Sequence, residues 1–447
     1  MLHLKLWRLS LAAAVVISCV IVRADTPAGP IAPELRKKVN RFLADLDAEL
    51  RGVRTAARAS LLEMGPAILP LLPDDRTLSN ADTREAVGQI RMRLERQRAL
   101  DTLTASHVTM HGRFPLREVL SRITQQTGNH FDCAAIDPAH LDQELTINDE
   151  SRSFWSTCDE LIQKAGLAYA PVHKPGSLAL LPVAKTHLER DLAVRESGPF
   201  RVVILSVEFR PALGESRNRL RINWSLMAEP RLRPLFASIA ANRLVAGSGD
   251  IIFDPATPTA KWELSMGEGS QSLRLTADFE IPAGAQPASV EFNGSLGVEM
   301  AAGPHAFVFD DLTSAGRERR RAGSVTVGLR GVEFSPPGEN RAAARIEISL
   351  VYDQGGPAFE SYRTWMYHNE ATLEMKNGKR LAPRPIVSTQ QQGDGSVAVE
   401  YNFADVEGMP RDYRFVYVAP TLITQVPVDF RFPKIPLARA ARGGTKR

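Results

Sequence analysis

The spacing of hydrophobic positions changes along the chain, and each change marks a different kind of element. Between residues 31 and 101 apolar residues recur every three to four positions, which predicts amphipathic helices. In the first helix these positions are Leu35, Val39, Leu43 and Leu46. Gly65 is expected to end the second helix, and Pro66 suits the first turn of the next. A third, arginine-rich helix is expected over residues 79–100.

Residues 104–185 combine two helical stretches with short alternating ones. The helices "FPLREVLSRITQQTG" and "SFWSTCDELIQKAG" each have one apolar face and are expected to end at Gly128 and Gly166. Strands are expected at "HVTMHGR", "NHFDCAA", "QELTIND", "LAYAPV" and "SLALLPV". The predicted order is βαββαββ, a small α+β domain.

From residue 198 to residue 440 polar and apolar residues alternate, and the pattern occurs twice. "SVEFRP" is echoed by "GVEFSP", "RINWSLM" by "RIEISLV", and "LRLTADFEI" by "VAVEYNFAD". Two more pairs are centred on Phe292 with Phe415 and on Phe307 with Phe430, and all five offsets lie between 123 and 125 residues. Alternation with turn signals between the runs predicts two tandem antiparallel β-sandwiches, at 198–315 and 322–440.

Two basic stretches flank the second predicted sandwich. "TSAGRERRRAG" is expected to be a solvated linker, or else to contact an acidic partner such as phospholipid headgroups or acidic polysaccharide. Residues 441–447 are expected to form a basic tail. The arginines of the linker are Arg317, Arg319, Arg320 and Arg321.

The first 24 residues have the pattern of a secretory signal peptide. Lys5 and Arg8 precede an apolar run at 9–22, which is shorter than the roughly 20 residues that span a bilayer, and cleavage is expected after Ala24. Alternatively, "VISC" resembles a bacterial lipobox, in which Cys19 would be lipidated. The protein is therefore expected in the periplasm, in the cell envelope or outside the cell, and on a membrane only if Cys19 is lipidated.

Two regions resemble known modules. The stretch "VRTAARASLLEMGPAILPLL" resembles one HEAT-like helical hairpin. Residues 104–185 resemble the secretin and TonB short N-terminal (STN) domain of bacterial envelope proteins, through "FPLREVLSRITQQTG", "QELTIND" and the second helix running into "AGLAYAP". The second resemblance implies a periplasmic docking module. Only the module carries over, because no secretin pore or outer-membrane barrel follows it in this sequence.

Composition and motifs narrow the chemistry. Hydrophobic residues make up 44% of the chain, and a net charge of +4 is too small to indicate a nucleic-acid partner. After signal cleavage Cys133 and Cys158 remain, either as a disulfide or as two separate buried thiols. Neither a catalytic motif nor a cofactor motif such as HExxH, CxxC or GxSxG occurs in the sequence.

Two candidate groups of functional residues fail on geometry. His107 and His111 are four residues apart on a predicted strand, roughly 13 Å, which is too far to share one zinc ion. Asp310 and Asp311 are adjacent on a predicted strand and would face opposite sides, so they are not expected to act as an acid–base pair. No catalytic residue, metal or cofactor is predicted.

The sequence thus predicts a multidomain α+β protein with a helical N-terminal region, a small βαββαββ module and two tandem antiparallel β-sandwiches. We expect a non-enzymatic envelope scaffold that docks other proteins through its STN-like module. Two alternatives stay open: a carbohydrate-binding protein or hydrolase that uses a sandwich surface, and an accessory component of a secretion or uptake system. Envelope proteins or polysaccharide would be the partners.

Overall fold

The computed structural model is a multidomain α+β protein, rich in antiparallel sheet. Its two compact units comprise residues 1–87 and 88–447. Among the residues described, no helix is both long enough and apolar enough to cross a membrane. The structure describes residues 33–437 except 75–76, 171–175, 184–190, 211–216, 247–251, 254–262, 266–270, 283–286, 315, 317, 336–342, 354–364, 367–368, 385–388 and 392–395.

The described part of the first unit is helical, as the apolar spacing predicts. Gly65, at φ +71°, separates the second helix from a short 3-10 helix, because this backbone conformation ends an α-helix and suits glycine. The Asp47 carboxylate accepts hydrogen bonds from Asn80 (2.5 Å) and Thr83 (2.6 Å). The elements are α1 (Pro33–Asp45), α2 (Arg51–Glu63), the 3-10 helix Pro66–Leu71 and α3 (Ala81–Asp101), which continues into the second unit.

The second unit continues with an α+β module whose strand and helix order agrees with the prediction, apart from one added helical turn. β1 pairs antiparallel with β3, and β5 lies between β2 and β4. The apolar faces of α4 and α6 lie in one core with Val108, Leu145 and Leu178. The elements are β1 (His107–Pro115), α4 (Leu116–Thr127), β2 (His130–Asp132), α5 (Pro138–Leu141), β3 (Glu144–Ser153), α6 (Phe154–Ala165), β4 (Leu167–Tyr169) and β5 (Ser177–Pro182).

Two repeats of β-strands follow, 193–309 and 319–436. The first repeat holds β6 (Ala193–Ser197), β7 (Phe200–Arg210), β8 (Arg217–Ala228), β9 (Arg233–Ala246), β10 (Ile252–Phe253), β11 (Glu263–Ser265), β12 (Ser272–Pro282) and β13 (Ser289–Phe309). The second holds β14 (Arg319–Ala322), β15 (Val325–Ser335), β16 (Ala343–Tyr352), β17 (Ala371–Met375), β18 (Arg380–Leu381), β19 (Thr389–Gln391), β20 (Ser396–Ala404) and β21 (Tyr413–Pro436).

The strands form two outer sheets and one central sheet. The first outer sheet has the order β12-β8-β7-β6, and the second has the matching order β20-β16-β15-β14, with β19 beyond β20. The central sheet has seven strands among the described residues, in the order β10-β9-β13-β21-β17-β18, with β11 also paired to β9. Matched strands of the two repeats therefore occupy matched positions.

Part of the predicted basic linker is a strand. Arg319, Arg320 and Arg321 belong to β14, which pairs with β15, while Arg317 lies outside the described residues. The chain reverses at Gly323, whose φ of +55° suits the tight turn between the two strands. β14 is the counterpart of β6, so the second repeat begins before the predicted boundary at residue 322.

The two repeats share a sheet, which differs from the predicted pair of separate tandem sandwiches. The first core takes apolar residues from 290–302 of β13 and 422–435 of β21, and the second takes residues 307–309 and 413–419 of the same strands. β13 and β21 are 21 and 24 residues long. The motifs around Phe292 and Phe307, read from the sequence as two strands, are therefore the two ends of one strand.

The centre of the β13–β21 ladder coincides with the centre of the repeat. With an offset of 123, Met300 corresponds to Ile423 and Ala301 corresponds to Thr424. In the ladder Met300 lies opposite Thr424, and Ala301 lies opposite Ile423. Antiparallel pairing with this register relates the repeats by a local two-fold axis between these four residues.

Candidate binding surfaces

A buried carboxylate links the α+β module to the first repeat. Glu229, which follows β8, is 1% exposed. It accepts hydrogen bonds from the Ser106 backbone N–H (2.8 Å), the Ser106 hydroxyl (2.6 Å), the Asn129 amide (3.1 Å) and Arg231 Nε (2.8 Å). The Arg231 guanidinium also donates to the carbonyls of Thr102 and Thr104. Because partners surround both charges, the buried ion pair can hold these segments in one arrangement.

Helix α6 fastens the module to the outer face of the first outer sheet. The indole N–H of Trp155 donates to the Pro199 carbonyl at 3.0 Å, and Ser156 donates to Glu196 on β6 at 2.5 Å. Met227 of β8 belongs to the core of the module. The helix thus covers the face of this sheet that points away from the first core.

A buried arginine completes this contact. Arg201 of β7 is 4% exposed and donates to Asp159 of α6 at 3.1 Å and to Asp191 at 2.8 Å. Burial alone would lower the pKa of Arg201, but the neighbouring Tyr169, Asp159 and Asp191 outweigh that effect and raise it. The guanidinium therefore remains charged in the contact.

The exposed side of α6 forms a shallow cleft of about 650 Å³, the α6 cleft. Among its lining residues the Glu160 carboxylate binds Arg152 and also Lys164, the latter at 2.6 Å. Hydrogen bonds from Lys164 and Arg152 lower the pKa of Glu160 below its ordinary value. The cleft is lined by Arg152, Ser156, Asp159, Glu160, Gln163 and Lys164.

The β1–β3 ribbon carries the two histidines considered as metal ligands. His107 and His111 are both exposed, and His111 Nδ1 lies 2.6 Å from the Asn148 amide oxygen. The structure describes no group of three or more His, Cys, Asp or Glu residues that could hold a metal ion, within the ranges given above. The backbone groups of Thr109 on β1 are already hydrogen-bonded, because the Gln126 amide accepts from the Thr109 N–H and donates to the Thr109 carbonyl.

Cys133 and Cys158 are both free thiols in the structure. Cys158 is buried in the core of the module, and Cys133 packs at its periphery. Burial, followed by the charge of an adjacent aspartate, raises the pKa of both thiols above the ordinary value. The other predicted processing sites, Cys19 and Ala24, and the basic tail at 441–447 lie outside the described residues.

The arginines of β14 differ in their contacts. Arg320 binds Glu318 at 2.6 Å and lies 4.0 Å from Asp310, and Arg321 binds Asp353. Arg319 is exposed and forms no ion pair with a described residue.

Asp310 follows the end of β13 at Phe309, so it does not lie on a strand as predicted. The same correction applies to Asp311, which accepts hydrogen bonds from Thr313.

A second cleft, of about 420 Å³, lies on the second outer sheet, and we call it the second-repeat cleft. This cleft is not among the sites expected from the sequence. The available signal was a difference between aligned repeats, since Gly328 stands where the first repeat has Val203. The cleft is lined by Gly316, Glu318, Arg319, Thr326, Gly328, Leu329, Arg330, Ser349, Val351 and Ser396.

The repeated "VEF" motif has a structural role in both copies. Glu208 lies opposite Arg221 on β8, and Glu333 lies opposite Arg345 on β16, with which it forms an ion pair at 2.7 Å. The aromatic rings of the two repeats are mainly inside. Among the aromatic residues whose side chains the structure describes, Phe209 is the most exposed, at 37%.

Comparisons with known proteins assign no family to this chain. No family model matches it, and no curated protein matches it. One solved structure that it resembles is that of a conserved domain protein from Bacillus anthracis, at 10% sequence identity and a TM-score of 0.15. The match covers 55% of this chain and 92% of the other.

Proposed function

We propose that this protein is an exported, non-enzymatic scaffold of the bacterial envelope. Its STN-like α+β module docks a partner protein, and its two β-sandwich repeats form the body that carries the module. The proposal includes cleavage of a signal peptide after Ala24, and partners that are envelope proteins.

The observation that supports this function most directly is the attachment of the module. Trp155 and Asp159 of α6 bind the first repeat, the Glu229 network binds Ser106 and Asn129 of the module to it, and the exposed side of α6 lines the α6 cleft. A surface held in one orientation loses little conformational entropy when a partner binds. The ion pairs around Glu160 offer both signs of charge, which suits recognition of a partner's polar side chains.

Partner capture tests the proposal with a matched pair of variants. Gln163 and Gln125 are both exposed glutamines on helices of the module, but only Gln163 lines the α6 cleft. The tagged full-length chain, as wild type, Gln163→Arg and Gln125→Arg, is used to recover proteins from an envelope extract. Mass spectrometry should identify a protein retained by wild type and Gln125→Arg and reduced at least about tenfold by Gln163→Arg.

Point variants are needed here because deletion of the module would expose the buried Glu229. If the two glutamine variants recover the same proteins in the same amounts, docking through the α6 cleft is wrong. Export is tested separately by the intact mass of the protein from cells. A chain beginning at Asp25 supports plain cleavage, a lipidated chain beginning at Cys19 supports the lipobox alternative, and an uncleaved chain contradicts export.

A further inference from the structure

The two outer sheets present equivalent faces, and the repeat aligns them residue by residue. In the first repeat Val203 pairs with Ser225, and Arg201 pairs with Met227. At the same positions of the second repeat Gly328 pairs with Ser349, and Thr326 pairs with Val351. Both inner strands also have a register shift at the matched position, after Ile204 and after Leu329.

One of these faces is covered and the other is open. In the first repeat Arg201 of this face binds Asp159 of α6, and Met227, 8% exposed, belongs to the core of the module. Val203 on the same face is 1% exposed. Val351, the counterpart of Met227, is 39% exposed, and this part of the second outer sheet lines the second-repeat cleft. The surface that accepts a helix in one repeat is thus available in the other.

The small side chains of the second face give the cleft its depth. Gly328 replaces Val203, and a Cβ atom at Gly328 would lie 2.8 Å from the Ser349 hydroxyl. Ser396 and Thr326 extend the same depression. A side chain from a partner helix can therefore approach the sheet more closely here than in the first repeat.

The charge of the cleft selects acidic groups. Arg319 and Arg330 line it, and the one carboxylate among the described lining residues, Glu318, already binds Arg320. Among the described residues, Arg330 forms an ion pair with Glu347, at a distance of 3.6 Å. In the first repeat an arginine of the equivalent face binds Asp159 of the covering helix, so the same kind of charge pairing is available here.

We propose that the second-repeat cleft binds an α-helix of a partner protein, one that directs a carboxylate toward Arg319 and Arg330. The helix lies against β15 and β16, at the positions equivalent to Arg201 and Met227, where the module packs on the first repeat. The chain's own α6 is already engaged by the first repeat, so the helix comes from another protein. This surface is separate from the α6 cleft, and the proposal does not rest on docking there.

The α6 segment itself is the probe, because its sequence fits the equivalent face. A fluorescent peptide of residues 153–166, with Cys158→Ser and a lactam joining Glu160 to Lys164, presents Asp159 from a fixed helix. Binding to the full-length protein is measured by anisotropy. A second peptide with Asp159→Lys tests the need for the carboxylate.

Variants of the full chain locate the site. Arg319→Glu with Arg330→Glu should weaken binding of the acidic peptide at least about tenfold, as should Gly328→Val, which fills the cleft and leaves its charge unchanged. The matched control is Arg219→Glu, the same change at an exposed position of the first outer sheet, and it should bind like wild type. The Asp159→Lys peptide should bind wild type at least about tenfold more weakly.

Three results would overturn the proposal. The first is no binding of the acidic peptide to wild type, and the second is equal binding to wild type and the cleft variants. The third is that phosphatidylglycerol vesicles or a heparin fragment bind wild type as tightly as the peptide does, with the same loss in the arginine variants. That outcome would make the cleft a general anion surface.

Discussion

At the scale of single residues, buried polar groups determine how the parts of the second unit are joined. Glu229 and Arg231 form the network between the α+β module and the first repeat. In the second core Arg233 reaches Asn369, whose amide donates to the Tyr417 hydroxyl at 2.7 Å. Burial makes each of these groups depend on its partners, because an unpaired charge or dipole in the interior is costly.

Replacing Glu229 tests the first network. Glu229→Gln keeps the shape but removes the charge opposite Arg231, so we expect the free energy of unfolding to fall by about 3 kcal/mol. Chemical denaturation measures the change. The control, Glu150→Gln on the exposed side of β3, should change stability by less than about 0.5 kcal/mol. Similar losses in the two variants would contradict a structural role for the network.

The buried tyrosine gives stability a defined pH dependence. Burial is the main cause that raises the pKa of Tyr417 to about 12, from about 10 in the unfolded chain. The unfolded chain therefore loses this proton first, and the stability that Tyr417 contributes is complete below about pH 10 and is lost as pH rises toward about 12.

Tyr417→Phe should make that alkaline loss shallower, by up to about 1.4 kcal/mol per pH unit over this range. Urea denaturation of wild type and variant at a series of alkaline pH values measures the difference. Near neutral pH the variant should be somewhat less stable, because Asn369 loses the acceptor of its hydrogen bond. Parallel stability curves above pH 10 would show that Tyr417 does not titrate as its burial implies.

At the scale of elements, close packing fixes the end of α3 against the central sheet. Gly303 of β13 has a φ of +63°, and a Cβ atom there would lie 2.4 Å from the Thr421 hydroxyl and 2.8 Å from the Ala99 side chain. Ala99 and Leu103 belong to the first core. The absent side chain at Gly303 thus allows the helix to approach the sheet.

Gly303→Ala separates the packing effect from backbone strain. Gly198 has a similar φ of +56°, but a Cβ atom there would have nothing within 4 Å, so Gly198→Ala carries only the strain, about 1 kcal/mol. We expect Gly303→Ala to lower the free energy of unfolding by at least about 1 kcal/mol more than Gly198→Ala. If chemical denaturation shows equal losses of unfolding free energy in the two variants, α3 moves away from the added methyl group without loss of stability.

The strands also show which features of the fold the local sequence pattern predicts and which it does not. Alternation such as Leu273, Leu275, Ala277 and Phe279 predicts β12, because a half-buried strand needs that period. The sequence does not predict that the motifs around Phe292 and Phe307 form one strand, β13, because residues 301–304 between them interrupt the alternation. The second-repeat cleft exists because the outer face of the second outer sheet is exposed. Which sheet face is covered depends on long-range packing, which local periodicity does not predict.

At the scale of the whole molecule, the shared central sheet makes the repeats interdependent. Leu422, Val428, Phe430, Phe432 and Ile435 come from the end of the second repeat but lie in the first core. In return, Leu235 and Phe236 of β9 lie in the second core. Neither repeat encloses its core with its own residues alone.

A truncation after Thr421 tests this exchange. It removes the second half of β21, so we expect hydrogen-exchange protection to fall in β7, β8 and β12 of the first repeat and to persist in β15, β16 and β20. The control ends at Leu437 and should keep wild-type protection throughout. Loss of protection confined to the second repeat would contradict the shared cores.

The position of the second half of β21 in the sequence also determines when the first core can be completed during synthesis. Residue 422 is made 113 residues after the end of β13 (422 minus 309), a delay of about 6 to 23 s at ordinary ribosome speeds. Until then Trp224, Phe279 and Phe292 lack the strand that covers them. The nascent first repeat must therefore remain open, and a product of early termination would be a substrate for chaperones and proteases even though the whole first repeat had been translated.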